Sequence, residues 1–102
     1  MKKAAAPAEA LHFEQIPNVG PRIAADLRRI GLERPTELRR RDPYAMYGDL
    51  CKATGRAQDP CVIDVFISAT RFMQGEPVRP WWAYTNERKA ALKERALREK
   101  SR

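Results

Sequence analysis

The string IPNVGPRIA over residues 16–24 constrains the fold of this 102-residue chain more than any other feature. Asn18 and Gly20 tolerate left-handed backbone angles, and they flank Val19, a candidate for burial inside a tight turn. Pro21 follows, and proline suits the first position of a helix because its missing N–H would be unpaired there anyway. The string therefore predicts a tight turn that leads directly into a helix.

The start of such a helix is a predicted site for an anion. Its first amides lack partners within the helix, and the helix dipole places partial positive charge there. Arg22 adds a full charge, and the whole chain carries 20 Lys and Arg against 13 Asp and Glu, a net charge of +7. This balance favours a nucleic-acid phosphate as the anion. The alternative is a helix start needed only for packing, in a protein that is positively charged for solubility.

The string resembles the hairpin of the helix-hairpin-helix family, whose pattern is apolar, Pro, Gly, apolar, Gly, any three residues, Ala. Val19, Gly20 and Ala24 fit this pattern, and Asn18 stands where the first glycine is usual. Asparagine is the next most tolerant residue for a left-handed angle, so the turn is expected to survive the change. The resemblance implies that the amides of Asn18, Gly20 and Ile23 hold a DNA phosphate without reading its sequence.

Arginines near this turn are candidate contacts to the same backbone. The predicted DNA-phosphate-binding set is Asn18, Val19, Gly20, Arg22, Ile23, Arg28 and Arg29. A second basic site is predicted at Arg39, Arg40 and Arg41, because three adjacent arginines cannot all pair with acids on one helix face. A solvated charge run is the alternative for this triplet.

Proline, glycine and aspartate punctuation predicts an all-α fold. The expected elements are a helix over 7–15, one over 21–30 ending at Gly31, a short one over 35–40, one over 43–54 ending at Gly55, a highly apolar core helix over 60–73, and a thinly apolar, charged last helix from Thr85, its N-cap, to about residue 100. The segment 35–54 looks like a degenerate second copy of the first turn-and-helix unit. Paired units of this kind predict a compact, SAM-domain-like helix-hairpin-helix bundle of about five helices plus a charged C-terminal helix.

The predicted organisation has three parts. Residues 1–10 form a flexible N-terminal tail, residues 11–84 the helix-hairpin-helix domain, and residues 85–102 a basic C-terminal helix or tail.

Further residues resemble a narrower family. The IPNVGP string, the Asp-Pro pair at 42–43, the segment DPCVIDVF over 59–66 and the Trp-Trp pair at 81–82 are similar to the bacterial "pathogenicity locus" family, some members of which are labelled mitomycin resistance proteins. The resemblance covers roughly residues 11–84. It implies a helix-hairpin-helix fold, and the label implies a link to DNA damage resistance or repair.

Several classes of function are disfavoured. His12 has no candidate nucleophile or orienting carboxylate at a spacing typical of a catalytic site. Asp42 is better explained as a helix cap than as a glycosylase-type catalyst. An enzyme is therefore not expected. Cys51 and Cys61 lack partners at metal-ligand spacing and are expected to be small buried hydrophobes. No cofactor, metal site or membrane span is expected, and the predicted location is the cytoplasm.

The sequence therefore predicts a module that binds DNA without sequence specificity, with duplex favoured and single-stranded DNA left open. Whether it acts through a protein partner or as a homodimer is also open, as is RNA in place of DNA. The alternative is a protein-interaction or scaffold module of the same fold, using the Trp81–Tyr84 segment and the last helix. Trp81 and Trp82 are interpreted as loop anchors, with stacking on unpaired bases as the second reading.

Overall fold

The computed structural model describes residues 1–100 of the chain. Over these residues the secondary structure is entirely helical, and it packs compactly, with a Cα radius of gyration of 13.7 Å. The α-helices are α1 (Pro21–Arg29), α2 (Pro43–Thr54), α3 (Cys61–Met73) and α4 (Thr85–Lys100), and the 3-10 turns are Pro7–Glu9, Phe13–Gln15, Pro35–Arg40 and Trp81–Tyr84. The all-α class is confirmed; the last two residues of the predicted basic segment lie outside the described range.

Local punctuation sets the helix boundaries as predicted. Proline occupies the first position of both α1 and α2. The Asp42 side chain caps α2, since its Oδ1 accepts the Tyr44 N–H at 2.9 Å. Gly31 (φ 93°) and Gly55 (φ 69°) follow the ends of α1 and α2 in the left-handed conformation that ends helices.

The predicted first helix over 7–15 is wrong, because two separate 3-10 turns replace it. The side chain of Gln15 explains the break. Its Oε1 accepts the N–H groups of both Leu11 and His12 at 2.9 Å, which caps the second turn and prevents a continuous helix. Ala4 and Ala10, from the segment expected to be a tail, are both buried in the main core.

Helix α3 lies at the centre of the core, as its apolar sequence predicts. Ten of its 13 residues are buried, and it packs against α2, the 35–40 turn, the 81–84 turn and α4. The main core includes Val19, Leu27 and Phe66, while Ile63, Ile67 and Tyr84 form a second cluster. The turn that carries Val19 is therefore anchored in the same core as the central helix.

Helix α4 is held more firmly than its composition predicts. Arg88 Nε lies 2.9 Å from Oδ1 of Asp64, a fully buried carboxylate of α3. The Thr85 hydroxyl donates to the other oxygen of Asp64 at 2.8 Å. Thr85 has helical backbone angles (φ −60°, ψ −44°) and is the first residue of α4, so it is not the predicted N-cap. Farther along, Arg98 pairs with Glu94, four residues earlier on α4, at 2.6 Å. One buried ion pair thus fixes the first turn of α4 on the core.

Candidate anion-binding turn before α1

The turn before α1 uses its two permissive residues differently. Asn18 adopts a left-handed conformation with φ of 71°, whereas Gly20 is extended with φ of −93° and ψ of −175°. Val19 between them is fully buried. A Cβ added at Gly20 would meet nothing within 4 Å, so neither backbone conformation nor internal packing requires a glycine there. The absence of a side chain at Gly20 leaves the start of α1 open to approach from outside.

The side chain of Asn18 ties the turn to distant parts of the chain. Its Nδ2 donates to Ser68 Oγ on α3 and to the backbone oxygen of Arg79, both at 2.7 Å. These two bonds are unavailable to the glycine that is usual at this position. Asn18 therefore supplies both the left-handed angle and a connection to the loop that leads to the tryptophans.

Lys3 holds the inner side of the turn and was missed by sequence reasoning. Its ammonium donates to the carbonyl oxygens of Glu14 (2.8 Å), Ile16 (3.2 Å) and Val19 (2.5 Å). Burial lowers the pKa of Lys3, against an opposing effect of Glu14. In a trans peptide the C=O and the next N–H point in opposite directions, so the Gly20 amide is directed away from this ammonium.

The outward amides of the turn have no acceptor among the described residues. The N–H groups of Asn18, Gly20, Arg22 and Ile23 make no hydrogen bond within residues 1–100, whereas the Val19 N–H is used inside the turn, on the Ile16 oxygen at 3.1 Å. Of the predicted set, Val19 therefore contributes burial rather than an amide.

Two of the other three α-helix starts differ in this respect. Asp42 caps α2, and Asp59 Oδ1 accepts the Cys61 N–H of α3 at 2.8 Å. A carboxylate thus occupies the place of an anion at both of these starts, whereas α1 has no side-chain cap. At the degenerate second turn, the Tyr44 amide, which corresponds to the free Arg22 amide of α1, is therefore already bonded.

The predicted arginines of α1 separate into one unpaired and two paired side chains. Arg22 is exposed and forms no ion pair within residues 1–100. Arg28 makes a two-pronged contact with Glu14 at 3.0 and 3.1 Å and lies over the ring of Phe13, and this contact lowers the pKa of Glu14. Arg29 pairs with Asp26 at 3.1 Å. Arg22 is accordingly the α1 arginine most available to an external anion.

The second basic site is also partly neutralised. Arg41 pairs with Asp49 at 3.3 Å, while Arg39 and Arg40 are exposed and line an open cavity of about 540 Å³ together with Gln74. These two side chains are free to meet an anion but have no uncapped helix start beside them.

The tryptophan pair lies beside the turn, which its sequence position did not reveal. Trp81 lines a cavity of about 310 Å³ with Arg22 and Ile23, and its ring meets that of Trp82 edge to face at 5.6 Å. Trp82 is 63% exposed, whereas Tyr84 is buried. The anchoring role expected of the tryptophans thus belongs mainly to Tyr84, and Trp82 faces solvent.

The cysteines, metal ligands and membrane spans considered in the sequence can be compared with the described part of the chain. Residues 1–100 contain no cluster of three or more His, Cys, Asp or Glu suited to a metal ion. Both cysteines are free and only half-buried, not fully buried as expected. No helix within these residues has the length and apolarity needed to cross a membrane.

These features define a small all-helical protein in which an uncapped helix start, held from behind by a lysine, faces outward with an unpaired arginine. The sequence model of the family described as "Pathogenicity locus" matches residues 6–90, and the chain belongs to that family. It is 44% identical over 75 residues to the "Mitomycin resistance protein McrB" of Streptomyces lavendulae, a stretch that covers 74% of this chain and 71% of that relative. No solved structure matches the chain.

Proposed function

We propose that this protein is a non-enzymatic module of helix-hairpin-helix type that binds DNA without sequence specificity. The observation that carries the proposal is the start of α1. The amides of Gly20, Arg22 and Ile23 are free there, the Arg22 side chain is unpaired, and packing does not require a glycine at position 20. Backbone amides at a helix start are a recognised phosphate site, and the dipole of the helix favours the negative charge. The net charge of +7 supports a polyanionic partner.

Contacts of this kind position a protein on DNA but carry no sequence information. One turn neutralises only a few phosphates, so the expected affinity is on the order of micromolar and falls steeply with salt. Arg39 and Arg40 offer a second, weaker contact that would lengthen the footprint.

The test is fluorescence anisotropy of labelled duplex DNA, titrated with protein between about 50 and 200 mM salt. Gly20→Ala places a methyl group where the phosphate would approach, and Arg22→Gln removes the charge. Gly48→Ala is the matched control for the first variant, because a Cβ at Gly48 also meets nothing within 4 Å. Lys93→Gln, an exposed site on α4, is the control for the loss of one charge.

We expect both turn variants to weaken binding to all duplex sequences alike while the two controls bind as the unmodified protein does. Arg22→Gln should also reduce the salt slope by about one. Circular dichroism should show unchanged folding, since Gly20 and Arg22 make no internal contact that the fold needs. Equal binding by Gly20→Ala and Gly48→Ala would overturn the placement of the phosphate at this turn, and no binding at low salt would overturn the function.

The exposure of Trp82 favours a second candidate, a protein-interaction module that uses the 81–84 turn and α4. This candidate predicts that Trp82→Ala disrupts a partner complex while leaving DNA binding untouched. The name of the Streptomyces relative concerns mitomycin resistance. A DNA-binding role for this chain would suit a function in DNA damage resistance or repair.

A further inference from the structure

A cavity of about 310 Å³ lies between the start of α1 and the start of α3. This volume is at the lower end of the range of small-ligand sites, which is about 300–1,000 Å³. The lining combines an apolar surface, a thiol, an indole ring and two charged groups, supplied by Ile23, Val62, Val65, Cys61, Trp81, Arg22 and Asp59. The position beside the turn means that one ligand can reach the free amides and the cavity together.

The two charged groups of the cavity have different roles available to them. Arg22 is exposed and has no ion-pair partner within residues 1–100, so its guanidinium is available to a phosphate. Asp59 is held by the Cys61 N–H on its Oδ1, and the Cys61 thiol also donates to this carboxylate, whose remaining lone pairs can accept a further hydrogen bond. These two hydrogen bonds from Cys61 lower the pKa of Asp59, with smaller contributions from Arg88 and Arg22, so the carboxylate is ionised at neutral pH.

Trp81 is held in place before any ligand arrives. Its ring contacts Trp82 edge to face at an interplanar angle of 85°, and the backbone oxygen of Arg79, two residues earlier, accepts the amide of Asn18. A preset indole loses little freedom when a flat ring stacks on it, which makes stacking more favourable.

We infer that this cavity holds an unpaired base of the strand whose phosphate lies on the turn before α1. The flat apolar body of a base suits Trp81 and the apolar surface, and an amino group such as that of cytosine suits the Asp59 carboxylate as an acceptor. A base within a duplex is paired and stacked, so it cannot enter. The inference rests on the proposed DNA-binding function and adds a preference for duplex that carries an unpaired end.

The experiment compares two labelled DNAs by anisotropy at about 100 mM salt. One is a blunt duplex, and the other is the same duplex with a short single-stranded cytosine tail. We expect the tailed DNA to bind about five- to a hundredfold more tightly, the range that stacking of one base on an aromatic side chain supplies. A thymine tail should bind less tightly than the cytosine tail, because thymine presents a carbonyl oxygen where cytosine presents an amino group.

Variants of Trp81 and Asp59, with a control at Trp82, test whether the preference for tailed DNA arises in the cavity. Trp81→Leu should reduce binding of the tailed DNA to the level of the blunt duplex without changing the latter. Trp82→Phe keeps an aromatic ring against Trp81, so it is the control and should keep the preference. Asp59→Asn should reduce the difference in affinity between the DNA with the cytosine tail and the DNA with the thymine tail. Trp81→Phe should retain part of the preference, and it replaces Trp81→Leu if circular dichroism shows that the leucine variant is misfolded.

The outcomes separate this inference from the proposed function. Failure of both DNAs to bind would overturn the DNA-binding function and the inference with it. Equal binding of blunt and tailed DNA by the unmodified protein would overturn the inference alone. A preference that survives Trp81→Leu, or is lost equally in Trp82→Phe, would also overturn it, because the base would then lie outside this cavity.

Discussion

Replacement of Asn18 tests how the turn before α1 is built. In Asn18→Ala the backbone must still adopt φ of 71°, but the two side-chain hydrogen bonds to Ser68 and to the Arg79 oxygen disappear. In Asn18→Gly the same bonds disappear, whereas the left-handed angle becomes free of strain. The two variants therefore separate the contribution of the hydrogen bonds from that of backbone conformation.

The structure sets the expected magnitudes. Each hydrogen bond contributes about 0.5–1.5 kcal/mol net, so losing both lowers the free energy of unfolding by about 1–3 kcal/mol in either variant. Alanine in a left-handed conformation costs a further 1–2 kcal/mol or so, whereas glycine does not. Asn18→Ala should thus be the less stable variant, by about 1–2 kcal/mol. That difference corresponds to a Tm about 4–16 °C lower than that of Asn18→Gly for a domain of this size.

Urea unfolding followed by circular dichroism measures both variants. Ser68→Ala removes the acceptor on α3 and is expected to lower the unfolding free energy by about 1 kcal/mol. The double variant Asn18→Gly, Ser68→Ala should be more stable than the sum of the single changes predicts, because both single changes remove the same hydrogen bond. Equal stability of the Ala and Gly variants would refute the conformational argument, and full additivity with Ser68→Ala would refute the hydrogen bond.

Two further predictions concern ion pairs. Arg88→Ala should lower the unfolding free energy by about 3–5 kcal/mol, because it leaves the fully buried Asp64 carboxylate without its cation. Thermal unfolding measures this loss of stability, and a loss below about 1 kcal/mol would contradict the prediction. The pKa of Glu14 is lowered in the folded state, chiefly by its hydrogen bond with Arg28, so its contribution to stability is present above the ordinary pKa of 4.5 and is lost as the pH falls through the folded value. The small advantage in unfolding free energy of the unmodified protein over Arg28→Gln should therefore be larger at neutral pH than in acid, where only the contact of Arg28 with the Phe13 ring remains. An advantage that does not change with pH would contradict this account.

The elements that the sequence predicted correctly are those specified by residues within a turn of each other. Asp42 caps α2 through an amide two residues away, and Gly55 ends it through its own backbone angle. The tight turn at Asn18 was also predictable, because tolerance of a left-handed angle is an intrinsic property of asparagine. The segment 7–15 is the exception, because the interaction that breaks it is also local. Gln15 caps the amides of two residues three and four positions earlier, and helical spacing alone could not show this.

The candidate site depends on contacts that no local pattern encodes. Lys3 reaches Val19 across 16 positions, and Asn18 reaches Ser68 and Arg79 across 50 and 61. From the sequence, Lys3 is expected to be a solvated charge. Only the fold places three carbonyl oxygens around its ammonium.

By itself, the sequence determined the helices, the turn and the excess of positive charge, because proline, glycine, aspartate and net charge act locally or as a total. Only the tertiary structure decided which arginines remain available, since Glu14 and Asp26 neutralise Arg28 and Arg29 but not Arg22. The tertiary structure also brought Trp81 next to the turn, 60 or so residues away along the chain. Such neighbours are set by packing around α3, and packing depends on the whole core at once.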